Sequence, residues 1–97
     1  MKIEKAIAGT AATLKIIGRL DTTTAPDLES TIDGCAAGLK ELVLDCSALE
    51  YVSSAGLRVI LRLRKEEPKL AIINVAPDVY EVFDMTGFTD MVTVEKA

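Results

Sequence analysis

The chain has 97 residues and a net charge of −4, with Asp and Glu outnumbering Lys and Arg 15 to 11. That length fits one domain, and an acidic balance lacks the basic footprint that nucleic-acid phosphates require, so direct nucleic-acid binding is not expected. No apolar run nears the ~20 residues of a membrane span, and MKIEKAIAGTAATLKIIG is broken by charges and a Gly-Thr turn where a signal peptide is continuous, so a cytoplasmic domain without membrane insertion is expected.

The elements follow in chain order. Ile3 to Ala8, a Gly9-Thr10 turn and Ala12 to Ile17 read as a β-hairpin. After Gly18-Arg19-Leu20-Asp21, Thr24 is placed to cap a helix, Pro26 suits its first turn, and Asp27 three residues after Thr24 resembles a capping box. Leu28, Ile32, Cys35 and Leu39 give that helix an apolar face. Glu41 to Cys46 reads as a buried strand followed by a loop from Ser47 to Val52. A second helix is expected from Ser54 to Lys65, ending near Pro68, and Leu70 to Val75 as another buried strand. Pro77 opens a third helix carrying Val79, Val82, Phe83 and Thr86, which Gly87 and the apolar Phe88 close in a left-handed cap. Met91 to Val94 reads as a last short strand. The fold class is α/β: one domain over residues 1–97, β-β-α-β-α-β-α-β, with a mixed sheet and helices packed on it.

The core must be mostly Ile, Leu, Val and Ala, because two Tyr, two Phe and no Trp are present. Cys35 and Cys46 fit as small buried hydrophobes rather than as a disulfide framework or nucleophiles. The absence of histidine removes Ser-His, Cys-His and His-metal arrangements together, and neither standard glycine-rich phosphate cradle occurs. No enzyme activity, cofactor or metal is expected. Gly34 and Gly38 form a G-x-x-x-G in an amphipathic soluble helix, where packing or fraying accounts for it.

Two regions remain. Asp21 and Asp45 each fall at the end of a predicted strand, where sites assemble in sheets built from crossovers. In EYVSSAGLRVIL, Ser54 lies at or near a helix N-cap, which needs no function to explain it. Gly56 two residues later would leave the first turn open to a partner. Leu57, Ile60, Leu61 and Leu63 would form the buried side of this helix and Arg58, Arg62 and Lys65 the solvent side, so Ser54, Arg58 and Arg62 would share a stripe. Ser54 is thus either a cap or a hydroxyl presented beside basic residues.

These residues carry a resemblance. LVLDCSALEYVSSAGLRVIL, followed by INVAPDVYEVFDMTGF, resembles the STAS domain of bacterial anti-sigma-factor antagonists, and the hairpin, GRLD and the element order extend the likeness over nearly the whole chain. The resemblance implies that an anti-sigma factor which is also a serine kinase phosphorylates a serine and is thereby released, and that a metal-dependent serine phosphatase reverses the step. Aligned on Gly56-Leu57, the acceptor is Ser54, with Asp21 matching the acidic loop residue and Asp45 the strand-end aspartate in support. Asp21, Ser53, Ser54, Gly56, Arg58 and Arg62 would form the partner surface. The family commonly has Asp before the acceptor; here it is Ser53, which is the alternative acceptor. The end at Ala97 leaves little room for a C-terminal helix that many members carry. The rival expectation is a STAS-like adaptor subunit of a transport or signalling complex that is never phosphorylated.

Overall fold

The computed structural model describes residues 1–35, 38–65 and 69–97, except the side chains of Cys35, 63–65 and Met91. The predicted stop at Pro68, the burial of Cys35 and the sides given to Leu63 and Lys65 lie outside the described residues.

Strands β1 (Lys2–Ala8) and β2 (Ala11–Leu20) form the hairpin, followed by helix α1 (Ala25–Cys35), β3 (Glu41–Val52), α2 (Ser54–Lys65), β4 (Lys69–Val75), α3 (Pro77–Met85), a single helical turn α4 (Phe88–Met91) and β5 (Thr93–Lys96). The five strands lie in chain order across one sheet. β1 pairs antiparallel with β2, and the remaining pairs are parallel, as crossovers through helices demand.

One face of the sheet supplies the core. Ala12, Leu14 and Ile16 of β2, Leu42, Leu44 and Cys46 of β3, and Leu70 and Ile72 of β4 are buried, while their alternate neighbours are only partly covered. Leu28 and Ile32 of α1, Leu57, Val59 and Ile60 of α2, and Val79 and Phe83 of α3 join that single cluster. Each helix contributes residues at i, i+3 or i+4, so one apolar stripe per helix meets the apolar side of the sheet.

The end of α3 is as the sequence indicates. Gly87 takes φ 81°, its amide donates to the Asp84 carbonyl at 3.1 Å, and the Phe83 and Phe88 rings meet with centroids 5.8 Å apart. A side chain at Gly87 would resist that left-handed conformation.

Three expectations are corrected. Residues 47–52 are not a loop: β3 continues to Val52, and β2 pairs with it throughout. Two bulges hide this, because Lys15 and Ile17 face Asp45 and Ala48, and Gly18 and Arg19 face Leu49 and Tyr51. Each extra β3 residue reverses the inward parity, so the buried positions run Leu42, Leu44, Cys46, then Leu49, then Val52, and the two-residue alternation is lost beyond Cys46. The last strand is Thr93–Lys96, with Met91 in the turn of α4. The capping box at α1 does not form. The Thr24 hydroxyl accepts from the Asp21 amide at 2.8 Å and donates to the Arg19 carbonyl at 2.8 Å, so it serves the preceding loop.

No helix among the described residues is long and apolar enough to cross a membrane.

Candidate functional site

β2 and β3 end side by side, with Leu20 paired to Val52, and the Ser53 amide donates to the Leu20 carbonyl at 2.8 Å. This bond joins the loop after β2, which holds Asp21, to the start of α2. Asp21 organises its own loop. Its Oδ1 accepts from the Thr23 hydroxyl at 2.7 Å, the Thr23 amide at 3.0 Å and the Thr24 amide at 3.2 Å, and its backbone carbonyl accepts from the Ala25 amide at 2.8 Å. The Thr23 hydroxyl foremost, with these amides, holds the Asp21 carboxyl below its ordinary value of 3.8. Beside it, Arg19 Nε lies 3.9 Å from Asp21 Oδ2, and the guanidinium sits 4.3 Å from the centre of the exposed Tyr51 ring.

The two serines divide their roles differently from the sequence expectation. Ser53, not Ser54, is the N-cap: its carbonyl accepts the first helical bond, from Leu57 at 2.9 Å, and its hydroxyl accepts from the Gly56 amide at 3.3 Å. Ser54 is the first residue of α2 and is exposed, and its hydroxyl makes no hydrogen bond among the described residues. The neighbouring serine therefore releases Ser54 from structural duty.

Gly56 is not open to a partner. It is buried, and a Cβ placed there would lie 2.7 Å from Leu20 Cγ and 3.1 Å from the Leu20 carbonyl oxygen. The missing side chain lets α2 close on the end of β2, so this position is a packing contact beneath the site.

The basic stripe also divides. Arg58 is exposed, whereas Arg62 is half-buried and turned toward α1, with Nη1 2.9 Å from Glu29 Oε1 and Nη2 3.3 Å from Asp33 Oδ1. Its Nε is enclosed without a hydrogen-bond partner. An open groove of about 670 Å³ runs between α1 and α2; Ala25, Pro26, Ala55, Val59 and Leu61 give its apolar lining, and Glu29, Asp33, Arg58 and Arg62 its charges.

Asp45 does not join this site and does not end its strand. It lies inside β3 opposite Lys15, and the five-residue advance from Lys15 to Leu20 puts it about 16 Å from the loop ends at a strand rise of ~3.3 Å. Its Oδ1 accepts from the Ser47 amide at 3.0 Å and from Asn74 Nδ2 at 3.3 Å. Burial acts to raise its pKa, but these bonds and the Lys15 charge outweigh it and hold the carboxyl below 3.8. Asp45 thus ties the bulge of β3 to Asn74, a residue in β4 held at φ 58°.

Sequence reasoning missed Thr23, Arg19 and Tyr51. Arg19 lies within GRLD, Thr23 two residues after it and Tyr51 two residues before Ser53, but only the pairing of β2 with β3 brings Arg19 and Tyr51 together.

Comparisons with known proteins agree with this fold. Over 82 residues the chain is 35% identical to BtrV of Bordetella bronchiseptica, named as an anti-sigma factor antagonist, covering 79% of this chain and 71% of that one. A crystal structure of an anti-sigma factor antagonist from Mycobacterium paratuberculosis superposes with a TM-score of 0.88 at 21% identity, over 99% of this chain and 86% of that chain. Unphosphorylated SpoIIAA superposes at a TM-score of 0.80 with 15% identity, over 96% of this chain and 87% of that chain, and the phosphorylated Bacillus form at 0.72 with 14%, over 96% and 90%. At these identities the structures speak for the fold. The model of the STAS domain family matches residues 2–97, nearly end to end, and the chain belongs to that family.

Proposed function

We propose that this chain is a cytoplasmic anti-sigma factor antagonist, without turnover of its own, whose binding is switched by phosphorylation of Ser54. Unmodified, it docks an anti-sigma factor serine kinase through the Asp21 loop, Ser54 and the exposed side of α2, and frees the sigma factor. The kinase transfers the terminal phosphoryl group of a nucleoside triphosphate to Ser54 Oγ; the hydroxyl proton and the nucleoside diphosphate leave. A metal-dependent serine phosphatase restores the hydroxyl.

One observation carries this reading: Ser54 is exposed in the first turn of α2 while Ser53 does the capping. The identity with BtrV supports the antagonist role, and the likeness to SpoIIAA, known in both phosphorylation states, is in keeping with the switch. The energetics favour it as well. A phosphate brings about −1.5 to −2 charges, and a helix N-terminus favours an anion by ~0.3–1 kcal/mol, so the fold keeps its shape. Burying that charge against a docked protein that offers it no partner costs about 3–4 kcal/mol, roughly a 150- to 900-fold loss of affinity.

The test is intact-mass analysis of protein from its native cells, with co-purification before and after phosphatase treatment. A phosphate on Ser54 and partner capture only after its removal are expected. Protein that carries no phosphate under any growth condition and holds its partner constantly would instead identify the unswitched adaptor, which Ser53 in place of the usual Asp favours. Ser54→Ala should keep binding and Ser54→Asp weaken it; equal affinities would end the proposal.

A further inference from the structure

We propose that Arg58 is the built-in counter-charge for a phosphate on Ser54: once the serine is modified, the guanidinium folds back one helical turn onto the phosphoryl oxygens. The inference rests on the reading of Ser54 as the acceptor and extends it. Modification would then do two things to the docking surface, adding an anion and withdrawing a cation.

The placement follows from helix geometry. Ser54 and Arg58 are four residues apart on α2 and both exposed, so their Cβ atoms are about 5–6 Å apart. Helical side chains lean toward the N-terminus, which tilts Arg58 toward the turn that holds Ser54. An anion N-terminal to a cation at this spacing is also the more favourable order.

The neighbouring charges are already committed. Arg62 is held by Glu29 at 2.9 Å and Asp33 at 3.3 Å across the groove. Arg19 lies 3.9 Å from Asp21 and against the Tyr51 ring. Arg58 has no ion pair among the described residues, although Glu29 and Asp33 line the same groove. Its planar fork of donors therefore has no carboxylate partner among the described residues and suits two phosphoryl oxygens at once.

The test needs no kinase. Phosphoserine is installed genetically at position 54 of the full chain, and its second ionisation, ordinarily near pH ~6, is followed by phosphorus NMR. With Arg58 present, that ionisation constant should be about threefold larger than in Arg58→Gln. Arg58→Lys should fall between them, because an ammonium keeps the charge and loses the fork. Arg62→Gln should titrate as the wild type does. Circular dichroism of each unmodified variant verifies the fold. Identical titration of wild type and Arg58→Gln overturns the proposal, as does an equal shift from Arg62→Gln. Because the phosphate is placed by synthesis, this result stands apart from whether native cells phosphorylate the chain, which the intact-mass measurement decides alone.

Discussion

A Cβ on Gly56 would stand 2.7 Å from Leu20 Cγ, closer than carbon atoms pack. Leu20 is wholly buried, so it has nowhere to retreat. Gly56→Ala gains up to about 1 kcal/mol of helix propensity and loses about 1–3 kcal/mol to overpacking. Net destabilisation of up to about 2 kcal/mol is expected, read from the urea midpoint at unchanged slope.

The adjacent serines should separate cleanly. Ser53→Ala removes the hydroxyl that accepts the Gly56 amide and should lower unfolding stability by about 1 kcal/mol. Ser54→Ala touches no such bond and should stay within about 0.5 kcal/mol of wild type. Urea unfolding of the two variants side by side measures both, and the reverse ranking would return the cap to Ser54.

Asp21 should impose an acid limit on stability. Its carboxyl is held below 3.8 in the folded chain, chiefly by the Thr23 hydroxyl. The stabilisation from its ionised form is complete above that ordinary value and is lost as the pH falls through the lower folded one. Thr23→Ala weakens the effect, so its urea midpoint should lie below wild type above pH 3.8, with the gap closing at lower pH. A gap that persists unchanged into strong acid would mean that the Asp21 carboxylate is not its source.

Cys46 should be chemically silent in the native state. Burial foremost, with the Asp45 charge beside it, pushes its thiol pKa up to about 12. In a Cys35→Ser background, a thiol reagent at pH ~8 should react with Cys46 only at the rate of unfolding, and denaturant should release a full equivalent. Fast labelling of folded protein would show that the site is open.

The hairpin, the start of α2 and the closure of α3 were legible because each rests on local chemistry: a two-residue turn, a serine before an apolar stripe, a glycine before Phe88. The extent of β3 was not, since its two bulges destroy the alternation by which a strand is recognised. Four residues from Phe88 to Met91 make too short a turn for periodicity to register. At the candidate site, both serines satisfy the rules for a cap, and only the carbonyl that starts the helical ladder tells them apart. Gly56 announces a close approach without saying whether the visitor is foreign or the chain's own Leu20. Arg58 and Arg62 look alike in sequence; that Arg62 pairs with carboxylates on α1 and Arg58 does not depends on where α1 lies.

The unequal lengths of β3 and its neighbour have a mechanical consequence. β4 accompanies β3 only as far as the Asp45–Ile73 pair, so from Cys46 to Val52 β2 is the only strand paired with it among the described residues, while Cys46, Leu49 and Val52 rest on the core. Ser54 therefore follows the part of the sheet that has narrowed to the β2–β3 pair rather than its wider middle. An enzyme that takes this end into its cleft, as the proposed switch requires, would load a single ladder of hydrogen bonds, the one between β2 and β3.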